Sequence, residues 1–128
     1  MQNFEIPGVG KFELRGDYWA CHQVASSIGA VDFEILGSEI NEKVASVTIR
    51  AVYDQIGAID SAARAYLLEN ARADIENAGA LVSPMVLLGE ASSEGSFTVF
   101  YSGAADECAS DYGVEFRKYV PFDLTIGD

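Results

Sequence analysis

The sequence is poor in the residues that build most catalytic and metal-binding sites. Its 128 residues include one histidine, two cysteines and eight lysines and arginines in total. His22 has no second histidine with which to form a zinc site or a proton relay. In a strand, the adjacent Cys21 points to the opposite face, so the two side chains do not readily share a metal ion. We therefore predict no catalytic residues, no metal site and no cofactor.

Long apolar runs and a basic N-terminal region are also missing. No window approaches the about 18 apolar residues of a membrane span, and residues 1–8 lack the features of a secretory signal. These absences predict a cytoplasmic protein. In that setting Cys21 and Cys108 are expected to be reduced thiols rather than a disulfide.

Negative charge is in excess. Twenty aspartates and glutamates give a formal net charge of −12. Such a charge repels nucleic acids and anionic lipids and speeds encounter with basic molecules. We expect a basic protein partner, no nucleic acid and no membrane; the alternative is that the charge only keeps the domain soluble.

The chain nevertheless has enough apolar residues to fold. Hydrophobic residues make up 49% of it, which excludes the composition of a disordered protein. Its length fits one domain, spanning residues 1–128. In the first third, apolar residues alternate with charged ones, which is typical of half-buried strands in an antiparallel meander. The predicted strands are Phe4–Ile6, Lys11–Arg15, Tyr18–Ala25 and Ala30–Leu36.

The middle third predicts two helices. Residues 44–56 fit a strand by their period of two and a helix by their period of 3.6; we favour a helix with Asn41 as its N-cap and Gly57 at its end. The second helix is predicted to begin at Asp60, with Arg64 four positions later, and to stop at Gly79.

Strand patterns return in the last third. They predict Met85–Leu88, Ser96–Ser102 and Val114–Val120, with residues 121–128 as a further edge segment. The predicted fold class is α+β: an antiparallel sheet, formed by the N-terminal meander and the C-terminal strands, with two central helices packed on one face.

Three local patterns approach known functional motifs without completing them. The run Gly8-Val9-Gly10-Lys11 lacks the hydroxyl residue of a phosphate-binding loop. Residues 91–95 come within one residue of a serine nucleophile elbow but have no downstream histidine. The acids between residues 106 and 115 lack the spacing of a calcium-binding loop.

The best candidate surface lies in the same acidic region. Carboxylates with tyrosines nearby would form an acidic rim around aromatic anchors, which suits a steered protein interface. The predicted residues of this partner face are Asp106, Glu107, Asp111, Glu115, Tyr101, Tyr112 and Tyr119. Two alternatives stay open: a small-molecule pocket between sheet and helices that uses Tyr18, Trp19 and His22, and self-association through an edge strand.

The order of these elements resembles a known kind of protein. The resemblance covers most of the chain except residues 121–128, and it implies no functional residues. It rests on the run from Phe4 to Phe12 with Pro7, Gly10 and Lys11, a Tyr18-Trp19 strand, a Phe33-Glu34-Ile35 strand and two helices followed by strands. In this order the chain is similar to small acidic bacterial domains of unknown function, some of them suggested to be immunity proteins of toxin systems. That resemblance implies binding to a basic toxin, such as a nuclease.

Overall fold

The described residues form eight strands and three helices. The computed structural model describes residues 2–89, 93–105 and 111–127. The strands are β1 (Asn3–Ile6), β2 (Gly10–Arg15), β3 (Tyr18–Ser26), β4 (Gly29–Leu36), β5 (Leu81–Leu88), β6 (Phe97–Gly103), β7 (Asp111–Arg117) and β8 (Val120–Gly127). The helices, which connect β4 to β5, are α1 (Glu42–Asp54), α2 (Ile56–Asn70) and α3 (Arg72–Ala78).

The strands form one sheet in chain order, from β1 at one edge to β8 at the other. All neighbouring strands are antiparallel except β4 and β5, which are parallel. A parallel pair needs a long crossover connection, and the three helices lie within that connection. The predicted α+β class is confirmed. The sheet is mixed rather than wholly antiparallel, and there are three helices instead of the two predicted.

The ambiguous segment 44–56 is helical up to Asp54. Asn41 caps α1 as predicted, since its side-chain oxygen accepts a hydrogen bond from the Val44 N–H at 3.2 Å. Gly57 does not end this helix, because α2 has already begun at Ile56. The predicted stop at Gly79 is confirmed: it is the C-cap of α3, with a φ of 74° that favours glycine.

Asp60 does not cap a helix either; it lies inside α2 and joins the helix to β6. Its carboxylate accepts hydrogen bonds from Arg64 Nε at 3.0 and 3.1 Å. It also accepts one from the Tyr101 hydroxyl at 2.6 Å. The spacing of Asp60 and Arg64 indicated their contact, but only the fold brings Tyr101 to the same carboxylate.

One face of the sheet, which we call the inner face, is buried together with the helices. Alternate residues of β2 to β7 supply its side chains, and the apolar stripes of α1 and α2 belong to the same core cluster. The buried inner-face residues are Phe12, Trp19, Val31, Phe33, Ile35, Val86, Leu88, Phe97, Val99, Tyr101, Tyr112, Val114 and Phe116. The buried helix residues are Ala45, Thr48, Ile49, Val52, Ile56, Ile59, Ala63, Leu67 and Ala78.

The C-terminal tail forms a full strand. The segment 114–120, predicted as one strand, is interrupted by a two-residue turn at Lys118 and Tyr119, which have φ values of 52° and 63°. Positive φ at both positions matches the right-handed twist of a hairpin. β8 then pairs with β7 along its whole length, with a bulge next to Phe116.

Burial of Tyr101 makes stability depend on pH in alkaline solution. Burial, together with the hydrogen bond to Asp60, raises the pKa of Tyr101 far above its ordinary value of 10.0. Above pH 10 the unfolded chain therefore loses a proton that the folded chain keeps, so stability falls as pH rises by up to about 1.4 kcal/mol per pH unit. We expect Tyr101→Phe to flatten this decline between pH 10 and 11.5, as measured by urea denaturation. Equal slopes in both proteins would contradict the assignment.

Candidate functional site

We call the side of the sheet opposite the helices the open face. It carries two rows of cross-strand neighbours. The first row contains Glu34, Leu87, Thr98, Glu115 and Asp123. The second contains Asp32, Met85, Phe100, Gly113 and Thr125. Apart from Gly113, all these residues are exposed or half-buried. The open face is thus the surface on which β4 to β8 can meet another molecule.

The centre of the open face is apolar. Met85, Leu87 and Phe100 line a groove of about 380 Å³, with Asp32 and Asp111 at its margin. Phe100 lies over Gly113 on the neighbouring strand, since a Cβ added at Gly113 would approach Phe100 Cε1 to 2.7 Å. The missing side chain at Gly113 therefore makes room for the ring of Phe100, an arrangement known from other sheets that pair glycine with an aromatic residue.

A second groove adjoins the first at the β8 edge. It measures about 260 Å³ and is lined by Leu87, Thr98, Glu115 and Phe122, among others. The Arg117 guanidinium lies 4.3 Å from the centroid of the Phe122 ring. Because Leu87 lines both grooves, the two grooves form one surface that runs from β5 to β8 and becomes more polar toward β8.

Two acids of the open face oppose each other directly. Glu115 on β7 is the cross-strand neighbour of Asp123 on β8. Neither carboxylate takes part in an ion pair with the described residues, and neither row contains a lysine or an arginine. Like charges in this position destabilise a sheet, so the pair favours the arrival of a cation from outside.

The acids on β4 are already engaged. Asp32 accepts a hydrogen bond from the Gln23 N–H at 2.7 Å, at a bulge where Gln23 has a φ of 56°. Glu34 lies 2.8 Å from His22 Nε2. Asp32 thus supports the local backbone, and Asp123 accepts a hydrogen bond from the Leu124 N–H at 2.9 Å, but among the described residues neither Asp123 nor Glu115 faces a basic side chain as Glu34 faces His22.

The structure divides the predicted partner face. Asp111, which is exposed, and Glu115, which is half-buried, lie on β7 on the side of the open face. Tyr101 and Tyr112 are buried on the inner face, so they do not offer their rings to a partner. Tyr119 lies in the β7–β8 turn, with its ring 6.1 Å from that of Phe97. Asp106 and Glu107 lie outside the described residues.

The alternative pocket residues do not share one cavity. Trp19 is on the inner face, so Tyr18 beside it points to the opposite side of β3, where His22 contacts Glu34. Trp19 does line a cleft of about 570 Å³ with Glu39 and Glu42. Its Nε1 atom is buried and has no hydrogen-bond partner among the residues that the structure describes, so a ligand in the cleft does not reach this donor without movement of the indole.

The apolar centre of the open face was not predicted from the sequence. The run Met85-Val86-Leu87-Leu88 is apolar on both faces, as is Phe97 to Tyr101. Such runs predict strands buried on both sides. The small number of predicted helices could have indicated this exposed surface, because few helices leave one side of a long sheet uncovered.

The described residues offer no group of three His, Cys, Asp or Glu side chains that could hold a metal ion. Cys21 is a free, partly buried thiol, and burial raises its pKa, with smaller contributions from Asp32 and Glu13. Among the helices of the described residues, none has the length and apolar content needed to cross a membrane. Comparison of the chain with known protein families, curated proteins and solved structures finds no match.

Proposed function

We propose that this protein binds a basic polypeptide through the open face and has no catalytic role of its own. In its most specific version, the proposal is that this protein acts as an immunity protein. It would neutralise a basic toxin, such as a nuclease, by covering the cationic surface of the toxin. Two properties support a basic partner: the net charge of −12 and an apolar groove with acids at its margin. Electrostatic attraction steers such partners together and fixes their orientation.

The pair Glu115 and Asp123 is the observation that carries the proposal. Two adjacent carboxylates without an ion pair to the described residues cost folding stability, by about 0.2–1 kcal/mol for a cross-strand pair. Arg117, which lines the same groove as Glu115, stacks on Phe122 instead of pairing with these acids. A lysine or arginine of the partner relieves this repulsion and gains two acceptors at once. The same partner places apolar side chains over Leu87 and Phe100, where they are removed from water.

Charge reversal at Glu115 separates binding from folding. Glu115→Lys places a cation opposite Asp123, so we expect the free energy of unfolding to rise by about 0.5 kcal/mol. Association with the basic partner is expected to slow about tenfold, because the attraction that steers the encounter is weakened. Urea denaturation measures the first effect, and stopped-flow or biosensor kinetics at low and moderate salt measure the second.

The partner for these kinetics is identified by affinity capture from a lysate of the source cells. The matched control is Glu76→Lys, which makes the same change in net charge at an exposed position of α3. We expect a basic protein to be retained by the wild type and by Glu76→Lys and to be lost with Glu115→Lys. Retention of the same proteins by all three would rule out the open face as the binding surface.

A further inference from the structure

β8 is an edge strand with an unusually apolar and accessible surface. It is the last strand of the sheet, and each of its eight residues is exposed or half-buried. Val120, Phe122 and Ile126 are 61%, 44% and 39% exposed, which makes them three of the most exposed large apolar side chains of the described residues. An edge strand of this kind presents unpaired backbone N–H and C=O groups to a further strand.

Protection against pairing is confined to the first half of β8. Proteins guard such edges with lysines, prolines and bulges. β8 contains no lysine or arginine, and both Pro121 and the bulge near Phe116 lie at its beginning. From Asp123 to Gly127 the strand pairs regularly with β7, so its second half has the regular geometry that a ninth strand requires. The added strand has to displace the hydrogen bond of 2.9 Å from the Leu124 N–H to Asp123 Oδ1.

We infer that the basic partner adds an extended segment to β8 as a ninth strand. This inference rests on the proposed function and specifies how the partner is held. Residues of the segment that point to the inner side contact the apolar Leu124 and Ile126, while those on the open side reach Asp123. The segment thus alternates apolar and basic residues, with backbone hydrogen bonds giving affinity and side chains giving specificity.

Charge complementarity decides between this occupant and a second copy of the chain. In a two-fold antiparallel pairing centred on Thr125, Asp123 of each copy faces Gly127 of the other, and no basic residue of β8 offsets its charge. Each copy also carries a net charge of −12, which opposes association. A basic segment meets the same residues with attraction. β8 also borders the open face, so one partner can occupy both surfaces.

Two synthetic octapeptides test the inference on the whole protein. The first alternates lysine and valine; the second alternates lysine and proline and has the same charge but no N–H at every second position. Hydrogen exchange of individual β8 amides is followed by NMR. When nine-tenths of the protein is occupied by the first peptide, we expect exchange of the outward-facing amides to slow about tenfold, because only the free tenth exchanges. The second peptide is expected to leave exchange unchanged.

Each other result overturns the inference in a recognisable way. Equal binding of both peptides, lost in Glu115→Lys, would overturn strand addition and leave the open-face proposal standing. If neither peptide binds at millimolar concentration, the result would count against both strand addition and the open-face proposal. Protection of β8 that rises with protein concentration alone would show that a second copy is the occupant.

Variants of β8 give an independent test. Ile126→Ser removes an exposed apolar contact at the edge, and Val47→Ser makes the same kind of change on α1, where Val47 is similarly exposed. We expect the affinity for the lysine–valine peptide to fall at least threefold in the first variant and to be unchanged in the second. Equal affinities of both variants would exclude β8 as the contact.

Discussion

Replacing Asp60 with alanine is expected to lower the free energy of unfolding by about 3 kcal/mol, since hydrogen bonds to charged groups and newly unpaired buried groups each contribute about 1–3 kcal/mol. Tyr101 is 1% exposed, and its hydroxyl donates a hydrogen bond to this carboxylate at 2.6 Å. Arg64 donates to both carboxylate oxygens, and its Cζ atom lies 4.7 Å from the centroid of the Tyr101 ring. Loss of the Asp60 carboxylate leaves the buried tyrosine hydroxyl with the backbone carbonyl of residue 60, at 3.5 Å, as its remaining acceptor, whereas the more exposed arginine can turn to water.

A double-mutant cycle isolates the contact between Asp60 and Tyr101. We expect Asp60→Ala and Tyr101→Phe together to cost less than the sum of the two single changes, with a coupling energy of about 1–2 kcal/mol. Urea denaturation at pH 7 gives all four values. Glu69→Ala, at an exposed position of the same helix, is the control and should change stability by less than about 0.5 kcal/mol. Additive effects would mean that the hydrogen bond contributes nothing beyond packing.

Gly95→Ala is expected to have a comparably large effect, about 3 kcal/mol of lost stability from backbone strain and overpacking combined. Gly95 has a φ of 83°, and an added Cβ would lie 2.9 Å from the Lys118 Cα, which belongs to the backbone and cannot rotate away. The residue also joins three elements. Its N–H donates to the buried Thr48 hydroxyl of α1 at 3.1 Å, and its carbonyl accepts from the Tyr119 N–H at 3.0 Å.

Gly16 provides a matched control for the strain alone. It has a φ of 68°, but a Cβ added there meets no atom within 4 Å. Gly16→Ala should therefore lower the free energy of unfolding by about 1 kcal/mol, which is the cost of the left-handed conformation alone. The difference between the two variants measures the steric contact with the β7–β8 turn. If thermal and urea denaturation show that the two variants lose similar amounts of stability, small movements of the structure relieve this contact.

The sequence predicted the strands better than the helices for a physical reason. In β2 and β4, apolar residues such as Phe12 and Phe33 alternate with charged ones, and one side of each strand is buried as expected. The helix boundaries at Asn41 and Gly79 were confirmed, but those at Gly57 and Asp60 were wrong because glycine and aspartate are ambiguous signals. Gly57 lies in the first turn of α2 instead of ending α1, and Asp60 uses its carboxylate for Arg64 and Tyr101 rather than for the backbone.

The candidate site could be predicted only in part. Acids at Asp111 and Glu115 were foreseen from the charge distribution, but their aromatic neighbours were misplaced. In β6 both Phe100 and Tyr101 are apolar enough for a core, and alternation alone does not say which of the two faces the helices cover. The parallel pairing of β5 with β4 across the three helices decides this, and such long-range contacts leave no local mark in the sequence.

The parallel ladder between β4 and β5 also determines how the sheet assembles. It divides the sheet into two four-stranded ribbons, in each of which every strand pairs with its neighbour in sequence. Contacts of this local kind close small loops, which costs little chain entropy and favours fast formation. Joining the ribbons instead requires Phe33 to find Val86 across the entire helical segment. The three helices are therefore both a cover for the core and the tether that keeps one ribbon at high effective concentration near the other.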